Sequence, residues 1–370
     1  MTKKLYIIAG EASGDLHGSN LIAAIKRLNP DIEIRCWGGD LMEKAGGILV
    51  KHYKDLAFMG FLEVILNLRV ILKNIAFCKQ DIAEYRPDAI LFIDYPGFNL
   101  RMAQFAKKMG YKTFYYISPK VWAWNQNRAK KIKKIIDHMY TIFPFETDFY
   151  KKFDYHVEYV GNPLLDQIEK YENRAITTDD LKLKSAPIIA LLPGSRKQEV
   201  TRILPIMLAA CKKFTDHQVV IAGAPSLSKS FYDKYITENV FYFNDITYDL
   251  LKLSSIAIVT SGTATLETAL FNVPQVVCYK GSYLSYLIAK QLIKVKYISL
   301  VNLVMNREVV KELIQKELTV SHLQNEILKI LPNGESRSQL LGDYEELQQK
   351  LGKGGASAKV GKSMLKTLNW

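Results

Sequence analysis

The fold is decided by a stretch at residues 259–267 that reads VTSGTATLE. An apolar strand ends there in small residues, which open a helix and let anionic oxygens approach the backbone N–H groups at its positive end. The candidate diphosphate ligands are Ser261, Gly262 and Thr263. Glu267, further along the helix, is a candidate acceptor of hydrogen bonds from a ribose diol. Because an ordinary α/β connection has the same composition, this stretch alone leaves both interpretations open.

A second apolar strand ends in the same way at residues 188–196, which read IIALLPGSR. Gly194 and Ser195 repeat the small-residue turn, and Arg196 adds a planar guanidinium whose donors match phosphate oxygens. A lone arginine is more often part of a surface salt bridge, but two such strand ends favour a sugar-nucleotide site. Neither turn has the P-loop spacing G-x-x-x-x-G-K-[ST], which disfavours hydrolysis of ATP or GTP.

The chain begins with a third strand and loop at residues 5–15, LYIIAGEASGD, followed by a predicted helix over 16–28. The G-x-G-x-x-G spacing of a dinucleotide turn is absent, and acidic residues in this loop would repel a pyrophosphate. We therefore expect the loop, with Glu11 at the strand end, to meet an acceptor hydroxyl or a sugar. Asp15 is either a helix N-cap or a participant in the chemistry.

The order of predicted elements indicates an α/β protein with two parallel-sheet domains. Apolar strands alternate with helical patterns over the 370 residues, as in sheets with crossover helices. The predicted strands are 5–9, 32–37, 89–93, 113–117, 139–143, 188–192, 218–222, 256–260 and 275–279. The alternation breaks once, at a polar stretch. We therefore predict an N-terminal domain at 1–165, a connection at 166–186, a nucleotide-binding domain at 187–340 and C-terminal helices at 341–370.

Cysteine and histidine usage gives no sign of a metal or disulfide site. The four cysteines lie far apart without a C-x-x-C pair, and the six histidines form neither H-x-x-x-H nor H-E-x-x-H. We expect no metal and no cofactor. Two lysines precede only five apolar residues at the N-terminus, too few for a signal peptide, so we expect the chain to stay in the cytoplasm.

A basic segment narrows the class of partner. The formal charge of the chain is +13, and nine Lys or Arg residues with no Asp or Glu lie between Lys107 and Lys134. Such a segment attracts nucleic acid, anionic lipid head groups or a phosphorylated glycan. A solvated helix face at 128–134 explains the charges equally well.

An apolar segment from Leu56 to Phe77 favours the membrane among these partners. Charged residues interrupt it, so no run approaches the roughly 20 residues of a spanning helix. Read as a helix, it has one apolar face that a core could bury, formed by Phe61, Val64, Ile65, Leu68, Ile71, Leu72 and Ile75. Further apolar residues outside that face predict an element that dips into a membrane or holds acyl chains, the alternative being a buried core helix. The expected contacts are Phe61, Leu62, Leu66 and Val70.

The chain resembles the lipid-A-disaccharide synthases, inverting glycosyltransferases of Gram-negative bacteria with the GT-B fold. The resemblance covers nearly the whole length. It rests on ordered motifs: GEASGD at 10–15, MGFLEV at 59–64, DYPGFN at 94–99, SPKVWAW at 118–124, PFE at 144–146, VGNP at 160–163, LPGSR at 192–196, SGTATLE at 261–267 and NL at 302–303. Many members carry a second acid where Gly97 stands, so a role for that acid does not apply here.

The resemblance implies two facing Rossmann-like domains with a cleft between them, the acceptor site in the first and the UDP site in the second. It implies transfer of 2,3-diacylglucosamine from UDP to the 6-hydroxyl of 2,3-diacylglucosamine 1-phosphate, giving a β-1,6 disaccharide and UDP. The donor ligands it implies are Gly194, Ser195, Arg196, Ser261, Gly262, Thr263, Thr265, Glu267 and Asn302. Lipid substrates in the inner leaflet place the enzyme peripherally on the inner face of the inner membrane. The C-terminal helices return to the first domain or to a partner subunit of a homodimer.

Inversion requires a base that deprotonates the acceptor hydroxyl. Asp94 follows the apolar strand 89–93, at the carboxyl edge where α/β sheets place ligands, and is our first choice; the resemblance supports the same residue. Glu11 orients the acceptor or shares the base role. The structural alternatives are a cap for Asp94 and a loop salt bridge for Glu11.

Three other functions stay open from the sequence. A related GT-B transferase with a polyprenyl-linked acceptor would share the UDP turn and the basic face, although the motifs at Asp94 and Ser118 argue against it. A UDP-sugar epimerase of the same fold would need no membrane element. A basic nucleic-acid binder without enzymatic activity would explain the charge but not the acidic strand ends, so we expect no nucleic acid as partner.

Overall fold

The computed structural model describes residues 2–56, 68–171, 177–282 and 295–370. The chain divides into two compact units. Unit 1 comprises Met1–Asp166 and Lys353–Trp370, and unit 2 comprises Gln167–Gly352.

Both units are parallel sheets flanked by helices, which is the predicted class. The strands of unit 1 are β1 Lys4–Ala9, β2 Glu33–Gly38, β3 Ile48–His52, β4 Ala89–Ile93, β5 Lys112–Tyr116, β6 His138–Thr141 and β7 Glu158–Tyr159. Those of unit 2 are β8 Ile188–Leu192, β9 Gln218–Gly223, β10 Val240–Asn244, β11 Ile256–Thr260, β12 Gln275–Tyr279 and β13 Lys311–Ile314. The helices are α1 Ala12–Leu28, α2 Asp40–Lys44, α3 Leu68–Tyr85, α4 Pro96–Lys108, α5 Val121–Trp124, α6 Arg128–Ile135, α7 Pro144–Lys151, α8 Pro163–Tyr171, α9 Lys197–Cys211, α10 Lys229–Tyr232, α11 Thr247–Leu253, α12 Thr263–Leu270, α13 Leu300–Met305, α14 Val320–Ile330, α15 Arg337–Leu351 and α16 Ala356–Leu368.

Each sheet has a point at which the strand order reverses. The order is β3-β2-β1-β4-β5-β6-β7 in unit 1 and β10-β9-β8-β11-β12-β13 in unit 2. The reversal therefore lies between β1 and β4 in one sheet and between β8 and β11 in the other. The parallel register pairs Ala9 with Ile93 and Val259 with Leu192. The two strands of each pair therefore end within one residue of each other. In open α/β sheets, ligands bind outside the carboxyl ends of the strands at such points.

All nine predicted strands are confirmed, within two residues at each end. They were found because both of their faces are buried, which requires a continuous apolar run; β4 (AILFI) and β8 (IIALL) are buried at every position. In the described part of the chain, the sequence did not reveal β3, β7, β10 and β13, which form the edges of the two sheets. Edge strands are half solvated and need no such run.

The C-terminal helix α16 belongs to the core of unit 1. Its residues Val360 and Met364 are buried in the same cluster as Leu21 and Ile25 of α1. The Gly355 amide, at the start of α16, donates a hydrogen bond to Asp166 in α8. Gly355 has a φ of 86°, a left-handed conformation that suits glycine. The last helix thus packs into unit 1.

Helix α1 begins at Ala12, four residues before the predicted start, so most of the predicted loop is its first turn. Asp15 within it is 3% exposed. Its carboxylate accepts hydrogen bonds from the amides of Gly39 at 2.8 Å, Leu41 at 3.2 Å and Met42 at 3.0 Å. Asp15 therefore caps α2, a helix distant in sequence, and its role is structural.

Helix α3 carries residues 68–77 of the apolar segment, whose first residue, Leu56, is also described and is buried. Its inner stripe follows Ile75, Cys78 and Ile82, which are buried, and Asp81 accepts hydrogen bonds from Tyr6 and Arg35 of the sheet. Leu72, predicted on the buried face, is 57% exposed, because the helical turn points it away from the side on which Ile75, Cys78 and Ile82 lie. The predicted contacts Phe61, Leu62 and Leu66 lie outside the described residues. Among the residues described, no helix has the length and apolar character needed to cross a bilayer.

We expect Asp15→Ala to lower the free energy of unfolding by about 2–4 kcal/mol, because three backbone amides lose their acceptor. Thermal and urea unfolding followed by circular dichroism would measure the change. Asp31→Ala, at an exposed aspartate near the other end of α1, is the matched control. An unfolding midpoint equal to that of the control would contradict the capping role.

Candidate active site

In unit 1, Asp94 stands at the reversal point, directly after β4. Asp94 and Tyr95 have φ values of 43° and 47°, a left-handed conformation that costs energy in residues other than glycine. The Asp94 carbonyl accepts hydrogen bonds from Asn99 Nδ2 at 2.8 Å and from the Tyr115 hydroxyl. The Asp94 amide donates to the Tyr116 carbonyl at 3.0 Å. These contacts hold the strained backbone, and with it the carboxylate, at the edge of the sheet.

The electrostatic surroundings of Asp94 suit a proton acceptor. Burial raises the pKa of Asp94 to about 6, with a further contribution from the negative charge of Glu11, while the positive charge of Lys120 opposes the rise. Glu11 follows β1, adjacent to β4, and occupies the N-cap position of α1 with an exposed side chain. The two predicted acidic residues are therefore brought together. A carboxylate with this pKa is ionised at neutral pH and retains useful basicity.

Lys120 belongs to the motif at 118–124, to which sequence analysis gave no role. The segment is fixed by Glu146 of α7, a fully buried acid whose carboxylate accepts hydrogen bonds from Trp122 Nε1 at 3.1 Å and from the Phe143 amide at 3.0 Å. Burial raises the pKa of Glu146 to about 7, against these hydrogen bonds. Ser118 adds a bond of 2.7 Å to the Tyr150 hydroxyl. The motif itself was the signal that pointed here, but only the tertiary contacts show that it positions a cation.

In unit 2, the two predicted turns border one cavity of about 350 Å³. The β8 turn contributes Gly194 and Ser195, and the β11 turn contributes Ser261, Gly262 and Thr263. The cavity is completed by Leu192, Glu199, Ala222, Gly223, Ala224, Pro225, Thr247, Thr260, Ala264 and Glu267. The structure thus brings together the two stretches that the sequence singled out.

The backbone of both turns suits an anion. Gly194 has a φ of 104°, a left-handed conformation in which a residue with a Cβ would be strained. Gly262 is the N-cap of α12 and, being a glycine, has no side chain with which to cap that helix. Gly262 and Thr263 are exposed and border the cavity, so the N-terminus of α12 presents backbone amides and the positive end of the helix dipole to it.

Arg196 is not among the residues that border the cavity. Its side chain is 79% exposed, and its Nη1 lies 3.6 Å from Glu199 Oε1. An exposed ion pair of this length contributes little stability, so it holds the guanidinium only weakly, and binding of phosphate by Arg196 stays a prediction. Glu199, which sequence reasoning missed, lies between the arginine and the turn.

Three residues that were predicted to bind the UDP-sugar donor make side-chain hydrogen bonds within unit 2. Ser261 Oγ donates to the Ile298 carbonyl at 2.9 Å, and Thr265 Oγ1 donates to the Gly262 carbonyl at 2.8 Å. Asn302 is fully buried; its Nδ2 donates to Val310 and Glu312, and its Oδ1 accepts from Val309 and Val310. These side chains therefore already take part in the internal structure of unit 2, and their direct contact with the nucleotide stays a prediction. Their hydrogen-bonding capacity cannot be read from the motif alone.

Glu267 borders the cavity on the second turn of α12. The pKa of its carboxyl is raised by burial. A hydrogen bond from the Tyr248 hydroxyl, which lies 2.9 Å from Oε1, opposes part of this rise. Tyr248 was missed by sequence reasoning because nothing in its surroundings resembles a motif. The described residues contain no group of three or more His, Cys, Asp or Glu side chains that could hold a metal ion.

Comparison with known proteins decides the family. The model of a family described as lipid-A-disaccharide synthetase matches residues 5–362. A lipid-A-disaccharide synthase of Syntrophus aciditrophicus is 40% identical over 368 residues, which cover 97% of this chain and 96% of that protein. One of Geobacter metallireducens is 37% identical over 374 residues, covering 99% and 97%. This chain belongs to the lipid-A-disaccharide synthase family.

The predicted family and its class of activity, a UDP-sugar-dependent hexosyltransferase, are therefore confirmed. A solved structure of a UDP-N-acetylglucosamine 2-epimerase from Listeria monocytogenes, described as putative in its own name, matches with a TM-score of 0.69. It covers 99% of this chain and 96% of its own. Its sequence identity is 13%, so the likeness shows the shared fold and does not favour the epimerase alternative. Membership in the synthase family also speaks against a nucleic-acid binder.

The charges around Asp94 predict opposite shifts of its pKa in two variants. Glu11→Gln removes a neighbouring negative charge and should move the pKa below about 6, whereas Lys120→Ala removes a positive charge and should move it above. The ¹³C chemical shift of the Asp94 carboxyl, followed against pH in labelled protein, would report both. A pKa that is the same in the two variants would refute this arrangement.

Proposed function

We propose that this enzyme transfers 2,3-diacylglucosamine from UDP to the 6-hydroxyl of 2,3-diacylglucosamine 1-phosphate and forms the β-1,6-linked disaccharide 1-phosphate and UDP. The observation that carries the proposal is the position of Asp94, a carboxylate of raised pKa at the reversal point of the first sheet. Family membership supports the choice of substrates.

The proposed chemistry is a single displacement. Asp94 accepts the proton of the acceptor 6-hydroxyl as that oxygen attacks the anomeric carbon of the donor. The bond between that carbon and the diphosphate oxygen breaks, UDP leaves with the electron pair, and the configuration inverts. Glu11 orients the acceptor, and its charge keeps Asp94 basic.

On the donor side, we assign the diphosphate to the backbone amides of the turns at 194–195 and 262–263, together with Arg196. Amides fixed by a glycine turn and a helix N-terminus need no reorganisation as negative charge develops on the leaving group. Arg196 adds a mobile fork of donors. Glu267 receives the ribose hydroxyls. Ser261, Thr265 and Asn302 hold the walls in place through the hydrogen bonds described above.

We propose further that the enzyme binds peripherally to an anionic inner-membrane surface, where its acylated substrates lie. Val70 and Leu72 of α3 are 40% and 57% exposed. Exposed lysines of α6, Lys130, Lys131, Lys133 and Lys134, supply positive charge. Exposed apolar side chains and exposed cations within the same unit suit binding to an anionic interface. A homodimer stays a prediction.

A product assay tests the proposed reaction. Purified protein mixed with the diacylated UDP-sugar and its 1-phosphate acceptor should yield the disaccharide by mass spectrometry, with EDTA having no effect. Asp94→Ala should lower kcat about 100-fold or more, the usual size of a general-base effect. Asp148→Ala, at an exposed aspartate of unit 1, is the control. Near-normal turnover by Asp94→Ala would remove Asp94 from the mechanism, and conversion of UDP-N-acetylglucosamine alone would favour an epimerase.

The membrane proposal predicts sedimentation with anionic liposomes that weakens as salt screens the lysines, since the Debye length is about 8 Å at physiological ionic strength. The double variant Val70→Ser/Leu72→Ser should remain in the supernatant while keeping its circular dichroism spectrum. The matched control, Val320→Ser/Leu328→Ser, removes exposed apolar residues of α14 in unit 2. Equal sedimentation of the two folded variants would overturn the role of α3.

A further inference from the structure

The carboxylate of Glu267 has one hydrogen-bond donor in the part of the chain that the structure describes. The Tyr248 hydroxyl donates to Glu267 Oε1 at 2.9 Å. Tyr248 lies on α11, next to Thr247. Thr247 borders the cavity of unit 2 to which the UDP-sugar is assigned, called the donor cavity from here on. It belongs to neither of the two turns that form that cavity.

The Tyr248 hydroxyl has a second polar neighbour. Gln167 Oε1 of α8 lies 3.4 Å from it, compared with 2.9 Å for the Glu267 carboxylate. A hydroxyl carries one hydrogen, and O–H···O bonds measure about 2.5–3.0 Å, so only the contact with Glu267 has the ordinary length. The hydrogen is therefore given to Glu267.

Aromatic packing fixes the place of this hydroxyl. The Tyr248 ring meets the Tyr171 ring edge-on, with centroids 5.1 Å apart and planes at 88°. On another side it contacts the Phe271 ring, with centroids 5.1 Å apart. Aromatic pairs of this geometry restrict the ring, so the hydroxyl is in position before any ligand arrives.

We propose that Tyr248 is a positioning residue for the nucleotide, which holds Glu267 Oε1 and leaves Oε2 to receive the ribose hydroxyls. The inference rests on the proposed function, in which Glu267 binds the ribose. Burial of Glu267 favours its neutral form, and the hydrogen bond from Tyr248 opposes this. An ionised, oriented carboxylate is the better acceptor for a diol, because a protonated one would lose an acceptor site.

The test compares nucleotides that differ in one ribose hydroxyl. Isothermal titration calorimetry of the full chain should show that the wild type binds UDP more tightly than 2′-deoxy-UDP. Tyr248→Phe keeps the ring and removes the hydroxyl. We expect it to weaken UDP binding about tenfold, as for loss of a hydrogen bond to a charged group, and to reduce the preference for UDP over its deoxy analogue.

Two controls separate positioning from general damage to the unit. Tyr235→Phe makes the same chemical change at a tyrosine of unit 2 that does not border the donor cavity, and should leave both affinities unchanged. Gln167→Ala removes the second neighbour of the hydroxyl and should leave the ribose preference intact. If Tyr248→Phe does not fold, Tyr171→Leu replaces it: the hydroxyl stays but loses its edge-on support, and the preference for UDP should fall.

The outcomes are distinct. Wild-type affinity and preference in Tyr248→Phe would overturn the inference, and so would an equal loss of affinity for both nucleotides, because a purely structural defect does not distinguish the ribose hydroxyl. An absence of UDP binding to the wild type would overturn the proposed donor site and this inference with it. Loss of the preference in Tyr248→Phe alone supports the positioning role.

Discussion

Parallel pairing of β1 with β4 and of β8 with β11 is the constraint on which the rest of the structure depends. Because these strands run side by side and end level, the residues that follow them meet at one edge of each sheet. Glu11 and Asp94 become neighbours in unit 1 although they lie 83 positions apart in the sequence (94 − 11). The same geometry joins the turn at Gly194 to the turn at Gly262 in unit 2. Sites of this kind follow from topology, and the loops supply the chemistry.

The pairing alone would not aim the side chains, and buried polar groups complete the task. In unit 1, the left-handed Asp94 is held by Asn99 and by the Tyr115 hydroxyl, both bound to its carbonyl oxygen. In unit 2, Asn302 uses its whole amide on neighbouring backbone and on Glu312. Such groups are costly to bury unless every partner is present, so they fix one arrangement of the site. These polar partners are therefore as important to the geometry of the site as the residues predicted to contact the substrates.

The sequence predicted the central strands and the two turns because both depend on local composition. Buried parallel strands need apolar runs, and anion-binding turns need small residues before a helix. It did not reveal the edge strands, nor the destinations of Asp15 and Glu146, because these depend on which elements pack together. Asp15 caps a helix distant in sequence, and the side chain of Asn302 points into the core. Neither orientation can be predicted from the neighbouring residues in the sequence. Tyr248 has no motif at all, and only its hydrogen bond to Glu267 marks it.

The proposed reaction brings together two groups that repel one another, a catalytic carboxylate and a diphosphate. A single turn cannot serve both, since an acid beside the phosphates would raise the energy of the bound donor. The chain assigns them to different sheets. Unit 1 supplies burial and a second acid, which make Asp94 a stronger base, and unit 2 supplies the N-terminus of α12 and an exposed arginine. Glu199 is the exception, an acid beside the turn at Gly194, and the positive charge of Arg196, 3.6 Å away, partly balances its negative charge.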